Sequence, residues 1–266
     1  MTMTKYKSST LKLIFSSLLS AIILLSSFSP LDVNITKIKT VVIDAGHGGK
    51  DPGCHGASSN ESEVVLQIGL ELGRIIEENM EDVKVIYTRQ TDEFVELHER
   101  AKVANMHGAD LFISLHCNAG PPAAAGTETY VMGLHSSERN LDVAKRENSV
   151  ILQEEDYKEE YNGFDPNSDE GYIMLANQQC AFLEQSLQLA SKIEHQFDER
   201  VKRHSRGVKQ AGFLVLWRTT MPSVLVEMGF LTNKDEENYL IQKENQVLMA
   251  SGIYRAFKEY KNELEN

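Results

Sequence analysis

Residues 41–49 read Val-Val-Ile-Asp-Ala-Gly-His-Gly-Gly, and residues 111–118 read Leu-Phe-Ile-Ser-Leu-His-Cys-Asn. Each stretch is a short apolar run that leads to a histidine, His47 in the first and His116 in the second. Short apolar runs bounded by turn residues are typical of buried strands. In α/β proteins, the carboxyl ends of such strands form the edge where sites are built. The two stretches therefore predict two imidazoles at one sheet edge, placed to hold a metal.

A carboxylate is the expected third ligand. Catalytic zinc sites typically have three protein ligands, such as two histidines and a glutamate, and keep one position for water. Glu61 is the best choice because it opens a predicted helix close in sequence to His47. His55, in the loop between them, is the rival ligand and ranks below Glu61. The helix is indicated by apolar residues that share one face, namely Val65, Ile68, Leu72 and Ile75.

A further stretch, residues 222–233, carries one carboxylate, Glu227, in an apolar strand that runs into a glycine turn. A carboxylate in such a run is costly to bury without a partner. Beside a metal site, it can take the proton of an attacking water and return it to the leaving nitrogen of an amide. Glu227 is therefore the predicted general base.

Together these motifs resemble the zinc-dependent N-acetylmuramoyl-L-alanine amidases of bacterial cell walls. The matching motifs are Asp-x-Gly-His-Gly-Gly at residues 44–49, the glutamate at the helix start, Ser-Leu-His-x-Asn at residues 114–118 and Val-Glu-x-Gly-Phe-Leu-x-Asn at residues 226–233. The resemblance covers roughly residues 40–262. Four motifs in the family's order are far more specific than any one of them.

The resemblance implies one zinc ion per chain, held by His47, Glu61 and His116, with Glu227 as the catalytic glutamate. It implies hydrolysis of the amide bond between N-acetylmuramic acid and the L-alanine of the peptidoglycan stem peptide, with zinc polarising the lactyl carbonyl and activating water. One alternative is a zinc carboxypeptidase or peptidase that acts on wall peptides, although the sequence contains no His-Glu-x-x-His motif. The other is a non-catalytic peptidoglycan-binding module, which would be expected to lack Glu227 or a ligand.

The predicted elements alternate between strands and helices, which indicates an α/β fold. Strands are predicted near residues 40–45, 83–88, 110–117, 127–132, 213–217 and 223–228, and helices near residues 61–79, 94–107, 177–204 and 234–262. The resemblance implies a mostly parallel six-stranded sheet with helices on both faces, in a single catalytic domain that spans residues 40–264.

The segment between the fourth predicted strand and the third predicted helix is too long for an ordinary connection. It begins with a helix-like stretch, residues 138–153, and continues into an acidic run. One interpretation is a solvated excursion. The other follows from the resemblance to periplasmic division amidases: a regulatory insertion at about residues 134–176 that covers the zinc until an envelope activator protein binds it. The candidate autoinhibitory carboxylates are Glu147, Glu154 and Glu155.

Residues 1–29 combine three lysines with an apolar, serine-rich stretch, the pattern of a secretory signal peptide or an uncleaved membrane anchor. Residues 30–39 would form a short tether. The pattern predicts export to the periplasm or the cell surface, where peptidoglycan lies. With 27 Lys and Arg against 39 Asp and Glu, the formal net charge is −12, which argues against a nucleic-acid partner.

The three cysteines, Cys54, Cys117 and Cys180, are an odd number for an exported protein. We expect buried free thiols, with a disulfide between Cys54 and Cys117 as the alternative. Cys117 should point away from His116, because successive side chains alternate across a strand.

Overall fold

A computed structural model describes residues 37–176 and 181–266, which contain a central β-sheet. Its strands are β1 Thr40–Ala45, β2 Lys84–Tyr87, β3 Leu111–Asn118, β4 Thr127–Met132, β5 Ser205–Ala211 and β6 Ser223–Phe230. Within the described residues these six strands form one sheet in the order β2-β1-β3-β6-β4-β5. The first four in that order run parallel, whereas β4 is antiparallel to β6 and parallel to β5. The mostly parallel six-stranded sheet is confirmed.

Helices cover both faces of the sheet. Their bounds are α1 Glu61–Asn79, α2 Leu97–Met106, α3 Glu138–Asn148, α4 Tyr157–Glu160, α5 Asp169–Ala176, α6 Leu183–Gln196, α7 Leu214–Trp217, α8 Lys234–Leu240 and α9 Lys243–Glu265. A 3₁₀ turn, Ser149–Gln153, follows α3, and a π turn, Phe197–Val201, follows α6. One hydrophobic core joins α1, α6 and α9 to one face, and a second joins α2, α3 and α7 to the other.

Strand β3 shows how the sequence produces this layering. Every residue of β3 is buried, as expected for a central strand covered by helices on both faces. Ile113, Leu115 and Cys117 enter the first core, and Phe112 enters the second. Because side chains alternate, His116 lies on the face covered by α3, and Cys117 lies on the opposite face as predicted.

The prediction of a strand at residues 213–217 is wrong. Leu214–Trp217 form the short helix α7. The fifth strand, β5, lies before this helix, at Ser205–Ala211. A short buried apolar run does not distinguish a strand from a helix. Strand β5 is half-buried along most of its length, lies at the end of the sheet and contains Arg206, Gly207 and Lys209, so it lacks the apolar pattern of a central strand.

Two predicted helices also differ from the structure. The helix predicted at residues 177–204 corresponds to α6 and its π turn, which ends at Val201, while residues 177–180 lie outside the described ranges. The helix predicted at residues 234–262 is divided into α8 and α9. Asn233 begins α8 by accepting hydrogen bonds from the backbone N–H groups of Asp235 and Glu236.

The segment at residues 134–176 is folded against the sheet, which excludes its interpretation as a solvated excursion. It contains α3, the 3₁₀ turn, α4 and α5. Its apolar side chains form much of the second core, including Leu141, Val143, Ala144, Val150, Ile151, Tyr161 and Tyr172. We call this segment the insertion.

The predicted signal segment, residues 1–29, and most of the predicted tether lie outside the described residues. Across residues 37–176 and 181–266, no helix combines the length and the apolar character needed to cross a membrane.

Candidate metal centre and active site

The register of the central strands brings the predicted site residues to one edge of the sheet. Strands β1 and β3 pair with Ala45 beside Leu115, so the residues that follow both strands leave the sheet together. Strands β3 and β6 pair with His116 beside Glu227. Parallel strands end at a common edge, which is why residues distant in sequence meet here.

Four buried side chains, those of His47, Glu61, His116 and Glu147, present potential ligand atoms within 4.8 Å of one another. His47 Nε2 lies 3.1 Å from Glu61 Oε1 and 3.1 Å from Glu147 Oε2. His116 Nδ1 lies 3.0 Å from Glu61 Oε1 and 3.1 Å from Glu147 Oε2. Yet in the described part of the chain His47 Nε2 and Glu147 Oε2 have no hydrogen-bond partner. Their lone pairs converge without bonding to each other, as expected of groups arranged around a cation.

Other groups fix the orientation of these side chains. His47 Nδ1 is 2.7 Å from Asp51 Oδ2, and a proton on Nδ1 leaves Nε2 as the free acceptor. A carboxylate in this position is the usual support for a metal-binding histidine. Glu61 accepts hydrogen bonds from the backbone N–H groups of Cys54 and Cys117, both at 2.9 Å. Sequence reasoning did not assign Asp51 a role, although a carboxylate four residues after His47 in a glycine loop was a usable signal.

The loop after β1 has an unusual backbone. His47 has a φ of 60°, a left-handed conformation that is uncommon for a residue with a side chain. The preceding Gly46 allows a close approach, since a Cβ at that position would lie 2.3 Å from the His116 ring. His47 and His116 can therefore lie close together because Gly46, which packs against the His116 ring, has no side chain.

Two buried arginines hold this loop. Arg100 of α2 donates to Asp44 Oδ1 at 2.8 Å and to the carbonyl oxygen of His47 at 2.9 Å. Arg89 donates to the carbonyl oxygen of Gly46 at 2.7 Å. Asp44 is fully buried and, against the effect of burial, Arg100 and neighbouring hydroxyl groups hold its pKa below the ordinary value.

Replacement of Arg100 by alanine is expected to lower the free energy of unfolding by about 3–5 kcal/mol, because it leaves the Asp44 carboxylate buried without its cation. The measurement is urea denaturation followed by circular dichroism. Lys102→Ala is the matched control on the same helix. Lys102 is 56% exposed and pairs with Glu99 at the surface, so this change should cost less than about 1 kcal/mol. Equal losses in the two variants would contradict the role given to Arg100.

The pKa of each group in the cluster depends on the charges of its neighbours. Burial acts to raise the pKa of Glu61, but His47 outweighs it and lowers the pKa well below the ordinary value. Burial acts to lower the pKa of His116, but Glu147 and Glu61 raise it to about 9. The carboxylates thus need positive charge between them. Protonated imidazoles can provide it, and so can a divalent cation that replaces their protons.

Glu227 lies next to this cluster and is fully buried. Neither of its oxygens has a hydrogen-bond partner among the described residues. Its nearby cation is Arg146 of α3, whose Nη2 lies 3.6 Å from Oε1. Burial and the Glu147 carboxylate raise the pKa of Glu227 well above the ordinary range. A buried carboxyl group with two free oxygens is suited to exchange a proton with a bound molecule.

The remaining predicted residues lie elsewhere. Glu154 accepts from the backbone N–H of Leu97 and from the Tyr161 hydroxyl, so it supports the start of α2 instead of joining the cluster. Glu155 is exposed. His55, the rival ligand, is also outside the cluster, with its Nδ1 2.9 Å from Asn60 Oδ1.

Cys54 and Cys117 are free thiols, as expected, but only Cys117 is buried and Cys54 is half-buried. Cys54 Sγ donates to the carbonyl oxygen of Cys117 at 3.2 Å, and neither sulfur belongs to the cluster described above. Cys180 lies outside the described residues.

Comparisons with known proteins show the family of this chain. Residues 41–259 match the family model of N-acetylmuramoyl-L-alanine amidases. The chain is 32% identical over 238 residues to the N-acetylmuramoyl-L-alanine amidase AmiA of Escherichia coli K12, covering 85% of this chain and 78% of AmiA. It is 31% identical over 222 residues to the protein YqiI of Bacillus subtilis, covering 84% of each.

A solved structure shows the same fold. The crystal structure of an N-acetylmuramoyl-L-alanine amidase from Clostridium difficile 630 superposes with a TM-score of 0.64 at 27% identity, covering 85% of this chain and 98% of that one. The family match spans most of the chain and includes the elements that carry His47, Glu61, His116 and Glu227. The chain therefore belongs to the N-acetylmuramoyl-L-alanine amidase family of peptidoglycan-degrading enzymes.

Proposed function

We propose that this amidase is zinc-dependent and cleaves the bond between N-acetylmuramic acid and the L-alanine of the stem peptide. The observation that carries the proposal is the convergence of His47, Glu61 and His116, with Glu227 beside them, at one sheet edge. Two imidazoles and one carboxylate are a typical donor set for catalytic zinc. The hydrogen bond between His47 and Asp51 supports the same assignment.

Three of these residues would bind the metal, and the fourth transfers the proton. His47, Glu61 and His116 would hold one zinc ion per chain, which when bound supplies a Lewis acid for the amide carbonyl and for water. Glu227 takes a proton from the attacking water and delivers it to the departing L-alanine nitrogen.

His47→Ala and His116→Ala are each expected to lose bound zinc, because two protein ligands rarely suffice for a catalytic site. The measurement is elemental analysis of the purified proteins. His55→Ala is the control, because His55 lies outside the cluster, and it should retain one zinc per chain. A full equivalent of zinc in either of the first two variants would remove that histidine from the ligand set.

Glu147 is proposed to inhibit the resting enzyme. Its Oε2 lies 3.1 Å from both histidine nitrogens, where a substrate or a water molecule would need access. Arg146 stabilises this arrangement by contacting Glu147 Oε1 at 2.8 Å, and it donates to Asn118 Oδ1 at 3.1 Å. The closed insertion therefore occupies the site with a carboxylate and an adjacent cation.

A partner that binds the insertion would release this inhibition, and an envelope protein is the proposed class of activator. Several large apolar side chains of the insertion are exposed: Leu134, Leu152, Ile173 and Met174, with exposed fractions of 54%, 50%, 47% and 73%. Exposed apolar side chains concentrated in one segment support an interaction surface. The enzyme is proposed to be exported, because peptidoglycan lies outside the cytoplasm.

Digestion of purified peptidoglycan followed by product analysis tests the function. Release of peptides with a free N-terminal L-alanine is the expected result. Shortened stem peptides would indicate a carboxypeptidase, and unchanged wall that retains the protein would indicate a binding module. Addition and removal of zinc in the same assay tests the metal requirement.

A further inference from the structure

A groove beside Glu227 is rich in arginine, although the chain as a whole has a net charge of −12. The groove has a volume of about 470 Å³, and Arg139, Arg146 and Arg206 line it together with Phe230. Asp142 also lines the groove and is exposed. Arginines from two different elements, α3 and β5, thus face one space. A positive groove on an acidic protein is expected to favour an anionic group.

Three arginines line the groove against one carboxylate, Asp142, and of the three Arg146 is paired with Glu147. Glu128 of β4 is fully buried and contacts three cations: Arg206 at 3.0 Å, Arg139 at 3.2 Å and Lys209. Asn118 donates to the same carboxylate at 2.6 Å. The single negative charge of Glu128 neutralises only one of these three positive charges. Glu128 therefore leaves net positive charge beside the groove, which favours an anionic ligand.

Arg206 has the geometry of a ligand-binding group. Its Nε donates to Glu128, and its Nη1 donates to the carbonyl oxygen of Ala125 at 3.1 Å. Its guanidinium also lies 5.2 Å from the centre of the Phe230 ring. Its Nη2 makes no further hydrogen bond within the described ranges. The side chain is therefore held in one orientation while it keeps a free donor, which is how arginine binds a carboxylate at low entropic cost.

The groove lies near the proposed base, which is not itself one of the lining residues. Phe230 follows Glu227 by three residues on β6, and Glu128 pairs with Glu227 across strands β4 and β6. Arg146 lines the groove and approaches Glu227 to 3.6 Å. A substrate with its scissile amide at Glu227 would extend its next residues along this groove. Arg139 and Arg146 belong to the insertion, whereas Arg206 belongs to the sheet and remains when the insertion moves.

We propose that the sheet side of the groove, formed by Arg206 and Phe230, is a subsite for the free α-carboxylate of the second residue of the stem peptide, and that Arg206 binds it. This inference rests on the proposed function. In a stem that begins L-alanyl-γ-D-glutamate, this carboxylate is the negative charge nearest to the scissile amide on the peptide side. Lys209 contacts the same oxygen of Glu128 as Arg206 and so shares in neutralising this carboxylate. The subsite would make the enzyme distinguish acidic stems from stems that are amidated at this position.

The test uses two soluble substrates, MurNAc-L-Ala-γ-D-Glu-L-Lys and its α-amidated counterpart MurNAc-L-Ala-γ-D-isoGln-L-Lys. Rates are measured for the intact chain and for Glu147→Ala, which supplies activity if the insertion is inhibitory. We expect the KM for the acidic substrate to be about tenfold lower than for the amide. Arg206→Gln should raise the KM for the acidic substrate about 10–100-fold, the effect of one charge-assisted hydrogen bond, with kcat within a few-fold. The amide should be nearly unaffected.

Two further variants make the result specific. Arg206→Lys should recover part of the lost affinity because it keeps the charge. Arg255→Gln removes the same charge from α9, where Arg255 contacts Gln196, and should change neither KM. Equal KM values for the two substrates in the unmutated enzyme, or an equal rise for both in Arg206→Gln, would overturn the subsite and leave the amidase function intact. Cleavage of neither substrate would refute the proposed function and the subsite with it.

Discussion

Glu227→Gln is expected to reduce peptidoglycan hydrolysis by about 10²–10⁴-fold, equivalent to roughly 3–5 kcal/mol of activation free energy. Glutamine preserves the size of the side chain but cannot accept the proton of the attacking water. Both oxygens of Glu227 are without hydrogen-bond partners in the described part of the chain, so little structural support is lost by the change. The measurement is the release of soluble fragments from dye-labelled peptidoglycan at saturating zinc.

The variant should retain one zinc per chain and an unchanged melting temperature, because Glu227 is not among the clustered ligands. Glu194→Gln is the matched control. Glu194 is also a buried glutamate, but it accepts hydrogen bonds from the hydroxyl groups of Thr127, Thr129 and Ser205, away from the cluster. Its activity should stay within a few-fold of the unmutated enzyme. Near-normal turnover by Glu227→Gln would exclude Glu227 as the base.

Glu147→Ala is expected to raise the activity of the intact chain by up to about 100-fold. A closed form favoured 99 to 1 requires about 2.7 kcal/mol, which the contacts of Glu147 with the cluster and the packing of α3 can supply. Without the carboxylate the site becomes accessible.

A point substitution is a more specific test than deletion of the insertion. The insertion contributes Val143, Ile151 and Tyr172 to the second core, and its deletion would expose that core. Glu138→Ala is the control. It removes an exposed glutamate from the first turn of the same helix and should leave the rate unchanged. If folded, zinc-loaded Glu147→Ala is no faster than the unmutated chain, the insertion is not inhibitory and has a structural or substrate-binding role.

Much of the fold and the site could be predicted from sequence, because local patterns indicated the strand ends and the resemblance to the amidase family implied the sheet and the roles of the site residues. Apolar runs that lead to His47 and His116 mark two neighbouring strands, and parallel strands present their carboxyl ends at one edge. The pairing of His116 with Glu227 across β3 and β6 was not predicted and is seen only in the folded sheet. The strand β5 was missed, since a half-buried edge strand with several polar residues carries no such pattern.

The tertiary structure decided which acidic residue of the insertion reaches the site. Glu147, Glu154 and Glu155 are the same residue type in one segment, and nothing local distinguishes them. The packing of Leu141 and Val143 against the second core orients α3 so that Glu147 faces the histidines. The same packing brings Arg139 to Glu128 and so helps to form the arginine groove. Sequence determined the chemistry of the strand ends, whereas the position of the insertion depended on contacts between distant residues, which local patterns do not encode.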